Sequence, residues 1–204
     1  GADLNPLEEA WNYGVSLSHD FTIGNRKANV VFDYFQTDFT HQWMVDMETA
    51  HAIRMYSSPG VSYAKSAQIE FNYSPLPRLE WKTAYRFQDV ASDYWGQNGS
   101  LRRLAKPFLN RDRVLVNVAY ATKYDIWKFD LTWQWSGARR IPNAYVHTGD
   151  APAVSAPAFS MVYGQVTRQF KHWEMYVGVE NLFNFTQANP IMGAADPFAR
   201  GFDT

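Results

Sequence analysis

Along most of this chain, apolar and polar residues alternate with a period of two, the signature of a strand with two unlike faces. Trp11, Tyr13, Val15 and Leu17 alternate with Asn12, Gly14, Ser16 and Ser18. Ala67, Ile69, Phe71 and Tyr73 alternate with Gln68, Glu70, Asn72 and Ser74. Trp81, Thr83, Tyr85 and Phe87 oppose Lys82, Ala84, Arg86 and Gln88, and Phe129, Leu131, Trp133 and Trp135 oppose Lys128, Asp130, Thr132 and Gln134. "VLVNVAYA" (114–121), "WEMYVGVEN" (173–181) and "NVVFDYFQTDF" (29–39) follow the pattern less cleanly. No long segment carries a helical period. The pattern predicts about eight strands, near 11–22, 29–47, 62–74, 79–90, 112–123, 127–137, 158–170 and 173–186.

The predicted connections alternate between short and long. "GNRKA", "SPLPR", "KYDI" and "FKH" are short and built of turn formers and polar residues. The segments 47–61, 91–111 and 138–157 are long, and 187–204 trails beyond the last strand. An all-β, antiparallel, up-and-down sheet with short turns at one end and long loops at the other is the plan of a transmembrane β-barrel of the outer-membrane type. Strands of about ten residues suit a tilted crossing of the hydrocarbon layer. Closure follows from hydrogen bonding, since lipid cannot satisfy an open sheet edge. Aromatics gather near the predicted strand ends (Trp11, Tyr13, Phe21, Tyr73, Trp81, Tyr124, Trp127, Trp135, Trp173, Phe183 and Phe185), where amphipathic rings would form two interfacial girdles. The alternative is a soluble β-sandwich with an aromatic core, but a Greek key has no reason to segregate its loops by length.

Composition narrows the function classes. Aromatic residues make up 17% of the 204 positions, a large share that the girdles would absorb. A net charge of −1 offers no basic surface for nucleic acid. The absence of Cys removes a disulfide framework, a Cys-zinc site and a Cys nucleophile. No stretch reaches the roughly 20 apolar residues of a membrane helix. The opening "GADLNPLEEAWNYG" has neither an initiator Met nor a signal peptide, and we expect a portion of a longer protein.

Several phrases, in order, resemble the C-terminal part of the barrel of TonB-dependent outer-membrane receptors of the Bacteroidetes type. They are "DYFQTDFTHQWMVDME" (33–48), "GVSYAKSAQIEFNYSPLPRLEWKTAYRFQDV" (60–90), "NRDRVLVNVAYAT" (110–122), "WKFDLTWQWSGARRIPN" (127–143) and "YVGVENLFNFTQANPIMGAADPF" (176–198). The "VENLFN" phrase is the most specific. The resemblance covers nearly the whole chain as a single partial domain. It implies that Val177 to Glu180 finish a membrane crossing, that "NLFNF" sits at the outer interface, and that "TQANPI" opens an extracellular loop. It implies a final strand, a plug domain and a TonB-contacting segment in the full-length protein. It also implies energised uptake of a scarce small-molecule nutrient or metal chelate, such as a ferric siderophore, haem or cobalamin, with outer-membrane lipid around the wall. On that basis the section alone would not be transport-competent. A passive porin-type or structural barrel is the rival within the membrane class.

Candidate chemistry clusters in the long loops. Arg102 and Arg103, with Lys106, lie in one, and Arg139 and Arg140 open another; their guanidinium groups suit carboxylates or phosphates. Lipopolysaccharide phosphate or plain solvation would use the same charges. Trp95 and Tyr94 offer rings for a flat ligand or a sugar. His41, Met44, Met47, His51 and Met55 supply imidazole and thioether groups of the kind that hold copper or haem iron. Their spacing forms no tight metal motif, and on a strand Met44 would point away from His41 and Met47. No resident cofactor is implied. Asp38 with His41, and Asp46 with Glu48, are pairs of the kind any such strand produces, no Ser sits in a nucleophile elbow, and we expect no enzyme.

Overall fold

The computed structural model describes residues 7–49, 52–96, 99–142 and 155–186. It is all-β, and eight of its strands form one antiparallel meander. They are β1 (Glu9–Ile23), β2 (Arg26–His41), β5 (Ser62–Leu76), β6 (Leu79–Trp95), β8 (Asp112–Ala121), β9 (Trp127–Ser136), β12 (Phe159–Gln169) and β13 (Glu174–Val179). Each pairs with its neighbour in that order. β7 (Leu101–Ala105) adds to the upper part of β6. Two further hairpins, β3 (Trp43–Thr49) with β4 (Ala52–Ser57) and β10 (Arg139–Arg140) with β11 (Ser155–Ala156), stand at the long-loop end. Among the described residues β1 and β13 are the two edges of the sheet; it is an open wall, not a closed barrel. No described helix is long and apolar enough to cross a membrane, which has no bearing on strands.

Turn chemistry at the short end explains the register. Ile23 pairs with Arg26, leaving a two-residue loop in which Gly24 has φ +60° and Asn25 does not. Glycine first is the type II′ hairpin preference. In the next hairpin Leu76 pairs with Leu79 across Pro77 and Arg78, and Arg78 takes φ +63°. Proline first and positive φ second is the type II pattern, which a glycine would fill with less strain. Thr122 closes the third turn, its hydroxyl accepting from the Trp127 amide at 2.9 Å. In the fourth, Phe170 and Trp173 stack with ring centroids 3.8 Å apart.

Directly paired residues in an antiparallel sheet share a face, so the register sorts every side chain. One row runs Leu17, Phe32, Ile69, Tyr85, Val114 and Trp135. A second runs Phe21, Ala28, Tyr73, Trp81, Val118, Leu131, Gly164 and Val179. The opposite face carries Ser16, Asp33, Gln68, Arg86, Arg113 and Ser136 in one row, and Asp20, Asn29, Asn72, Lys82, Asn117 and Thr132 in another. From β1 to β9 the wall therefore has one apolar and one polar face, and on β12 the latter face continues with Phe159, Met161 and Tyr163 above Gln165 and Thr167. On the polar face Phe35 lies flat over Gly14, and a Cβ there would collide with its ring and with the Tyr34 carbonyl.

The apolar face ends at the long-loop side in a ladder of tyrosines. Tyr13 donates to Asp38 at 2.8 Å, Tyr34 to Gln36 at 2.8 Å, Tyr63 to Asp89 at 3.2 Å and Tyr85 to Asp112 at 2.6 Å. All four rings lie on the apolar face; Tyr13, Tyr34 and Tyr85 reach toward the long-loop end, whereas Tyr63 reaches back to Asp89, two residues short of its own partner Ala91. At the short-turn side Tyr120 stacks on Phe129, and the Arg168 guanidinium sits 4.9 Å from the Trp127 ring centroid.

Little of this surface is covered. The buried apolar residues are Ala28, Met44, Ala91, Tyr94, Ala156 and Val162, most of them small or gathered at the long-loop end. Leu17, Ile69, Leu131 and Val177 are each about half exposed or more, at 60%, 48%, 50% and 66%. No second sheet packs on the apolar face among the described residues. That arrangement does not match a β-sandwich, whose inner faces interdigitate.

Three strand boundaries differ from the sequence reading by several residues. The strand expected over 79–90 runs on to Trp95, and the loop expected over 91–111 also holds β7. The strand expected over 29–47 breaks at Gln42: β2 ends at His41 and β3 leaves the main sheet to pair with β4. The strand expected over 173–186 ends at Val179. There Asn181 (φ +53°) and Asn184 (φ +51°) turn the chain, and the Asn181 amide both donates to the Phe185 carbonyl at 2.8 Å and accepts from its N–H at 2.7 Å. Asparagine tolerates this left-handed conformation better than most residues. The "NLFNF" phrase is a side-chain-closed turn, with Phe185 stacked on Phe159.

Candidate functional site

The long-loop end is built as a packed platform. β6 runs past its last pairing with β8, at Phe87 and Asp112, and continues to Trp95 beside β7. The β3–β4 hairpin rises beside it, closed at its base by the Ser58 amide donating to the Gln42 carbonyl at 2.7 Å. Alternation within β3 places Asp46 and Glu48 on its inner side. Asp46, only 2% exposed, accepts from the Tyr56 hydroxyl at 2.9 Å and from the Glu48 amide at 2.8 Å. Glu48 takes two bonds from Arg140, at 2.6 and 3.1 Å, and Arg140 Nε donates to the Ala105 carbonyl at 2.7 Å. One guanidinium thus ties the β3–β4 hairpin, the end of β7 and β10 together.

A second knot lies on the other side of β6. Asp93 receives Arg103 in a two-pronged pair at 3.0 and 3.1 Å and also accepts from the Val61 amide at 2.8 Å. A Cβ on Gly60 would fall 2.6 Å from the same carboxylate, so the close approach of this loop needs glycine. The Arg103 bonds, aided by the Val61 amide, hold the Asp93 carboxyl below its ordinary pKa. Burial, with the Asp46 bond adding to it, pushes the Tyr56 phenol up to about 12. Its hydroxyl therefore stays protonated, donating to Asp46 while it accepts from the Trp95 amide at 3.4 Å.

The candidate ligand residues divide accordingly. Arg103 and Arg140 are spent on the platform. Arg102 stands exposed on β7 opposite Tyr94, with no ion pair among the described residues. Arg139 is half-buried, bridging to Asn110 and pairing with Ala156. Tyr94 is buried at 6% exposure and cannot stack on a ligand, whereas Trp95 keeps 49% of its surface free. The groups left to contact a ligand are Trp95, Arg102 and part of Arg139. Sequence reasoning missed Asp46, Glu48, Tyr56 and Asp93 as the frame. Alternation marked Asp46 and Glu48 as sharing a face, but not what they face.

The imidazole and thioether residues do not converge. Met44 is buried at 5% exposure, and Met47, three residues on, faces the other way. His41 ends β2 opposite Glu9, its buried Nδ1 3.4 Å from that carboxylate without the alignment of a hydrogen bond. His51 lies outside the described residues. Among the described residues no three His, Cys, Asp or Glu side chains are grouped to hold a metal. A bulge in β2 brings His41 opposite Glu9, on the face that also carries Asp38, but the Asp38 carboxylate is taken up by Tyr13 and Gln36 and His41 Nδ1 has no hydrogen-bond partner among the described residues, so the two form no dyad.

A shallow apolar groove of about 570 Å³ crosses the apolar face near the β13 edge, lined by Leu131, Val166, Val177 and Val179 around Gly164. Comparison with protein-family models and with curated proteins returns no match.

Proposed function

We propose that this chain is a section of the wall of an outer-membrane β-barrel, and that the barrel is a TonB-dependent receptor for active uptake of a small-molecule nutrient or metal chelate. The observation that carries the membrane reading is the division of the sheet, from β1 to β9, into one apolar and one polar face. In water so broad an exposed apolar face is a liability; in lipid it is the outer surface of a barrel, with the polar face toward the lumen. From Trp127 to Trp135 the band runs nine of the 10 residues of β9, about the length of a tilted transmembrane strand. The tyrosine ladder and the Trp127–Tyr120 side are then the two interfacial girdles.

The receptor assignment rests on the resemblance, and the platform is consistent with it. Loops braced by Arg140 and Arg103 present Trp95 and Arg102 without having to order them on binding. No catalytic role is proposed.

The test uses the full-length parent. Uptake of labelled ferric chelates, haem, cobalamin and copper is compared in wild-type and deletion cells, with and without a proton uncoupler. Gene-dependent uptake abolished by the uncoupler is expected. Gene-dependent uptake that ignores the uncoupler would move the assignment to a passive barrel.

A further inference from the structure

On the polar face Arg86 and Arg113 stand directly opposite each other on β6 and β8. Side chains so paired have Cβ atoms roughly 5 Å apart, and like charges in that position repel. Neighbouring carboxylates on this face are engaged elsewhere. Asp33 accepts from Ser16 and Glu70 from Lys82 and Asn72, while Asp130 is held by Asn117 and Thr132 and Glu174 by Lys128. Neither arginine has an ion pair among the described residues. The flanking partners in register are neutral, Gln68 beside Arg86 and Ser136 beside Arg113. The Gln88 amide, turned with its oxygen toward Arg86, accepts from Nη2 at 2.7 Å and from Nε at 2.8 Å. That steadies one edge of the guanidinium and leaves Nη1 directed elsewhere. Lys82 and Lys128 on this face are each paired with an acid, whereas Arg86 and Arg113 stand side by side with no ion pair among the described residues.

We infer that Arg86 and Arg113 form an oxyanion clamp on the polar face, which takes one carboxylate or phosphate between the two guanidinium groups. The inference rests on that face lining a barrel lumen, where water is restricted and the repulsion is less screened than on an open surface. Two planar forks offer bidentate geometry to an oxyanion, which removes the repulsion as it binds. The oxyanion comes either from an acidic side chain of a protein element seated against the face or from a free ligand in the lumen.

The test uses the full-length protein, with R86Q/R113Q as the variant and K128Q as a control for loss of charge on the same face. Carbonate extraction and heat-dependent gel mobility first report whether the wild type and both variants are folded in the membrane. Inorganic phosphate and citrate are then titrated calorimetrically, and trypsin cleavage of any lumen-seated element is timed. Phosphate or citrate binding that weakens roughly ten- to a hundredfold in R86Q/R113Q alone supports the clamp with a free oxyanion. No binding, with cleavage of the seated element about tenfold faster in R86Q/R113Q alone, supports it with a protein carboxylate. Equal affinity and equal cleavage in all three proteins overturn the clamp. A wild type recovered in soluble form overturns the barrel reading, while the phosphate titration still decides the clamp.

Discussion

Arg140 sends three hydrogen bonds into two other segments, two to Glu48 and one to the Ala105 carbonyl. The pair is well buried, with side-chain exposures of 14% and 10%. Removing one partner of such a pair strands the other charge, at about 3 kcal/mol or more. R140A should therefore unlatch the β3–β4 hairpin, and hydrogen exchange at the Glu48 amide should accelerate while exchange in β5 and β6 below Phe87 stays unchanged. Asp93 gives a pH handle on the neighbouring knot. Its carboxyl is held low, so its contribution is full above the ordinary Asp value near 4 and disappears as pH falls through the lower folded value. Exchange at the Val61 amide should rise only on acidification below about pH 4, and D93N should abolish that dependence. Arginines at the loops were legible by type. Which of them were free was not, because Arg140 meets an acid 92 positions away in sequence and only the folded chain brings the two together.

At the scale of elements, alternation located all eight strands of the meander, and the loop lengths separated its two ends. The break at Gln42 was invisible because β3 keeps alternating after it leaves the sheet; periodicity reports a strand, not its partner. The end of β13 was obscured by its aromatics, which read as strand although the two asparagines set the turn. Turn chemistry at the short end makes its own prediction. Gly24 at φ +60° admits other residues only with strain, so G24V should cost roughly 1–2 kcal/mol. R78G, which relieves the positive φ of Arg78, should raise stability by up to about 1 kcal/mol. Urea unfolding in lipid or detergent reads both.

For the whole molecule, the separation of faces is the property that neighbouring substitutions can expose. Leu131 and Thr132 are adjacent on β9 and lie on opposite faces, Leu131 pairing with Val118 and Thr132 with Asn117. In a lipid-embedded wall, L131K should lose about 2–4 kcal/mol and assemble poorly, whereas T132K, facing the lumen, should assemble almost normally. Equal behaviour of the two would remove the membrane reading. The faces themselves were readable from the sequence alone. The alignment of eight apolar halves into one surface, with no sheet packed over it, needed the register.

The tyrosine ladder carries a further consequence. Three of its rings, Tyr13, Tyr34 and Tyr85, end at hydroxyls that reach toward the long-loop end, to Asp38, Gln36 and Asp112 at the margin of the apolar face. Such a row works as a depth gauge: sinking the wall by one pair of residues would drag carboxylates into hydrocarbon, and lifting it would bring rings into water. The wall therefore selects a bilayer thickness, and membranes a few ångströms thicker or thinner must deform around it at a fraction of a kcal/mol per ångström. Reconstitution into lipids of graded chain length should show a stability optimum, and Y85F with D112N should broaden it by cutting one rung.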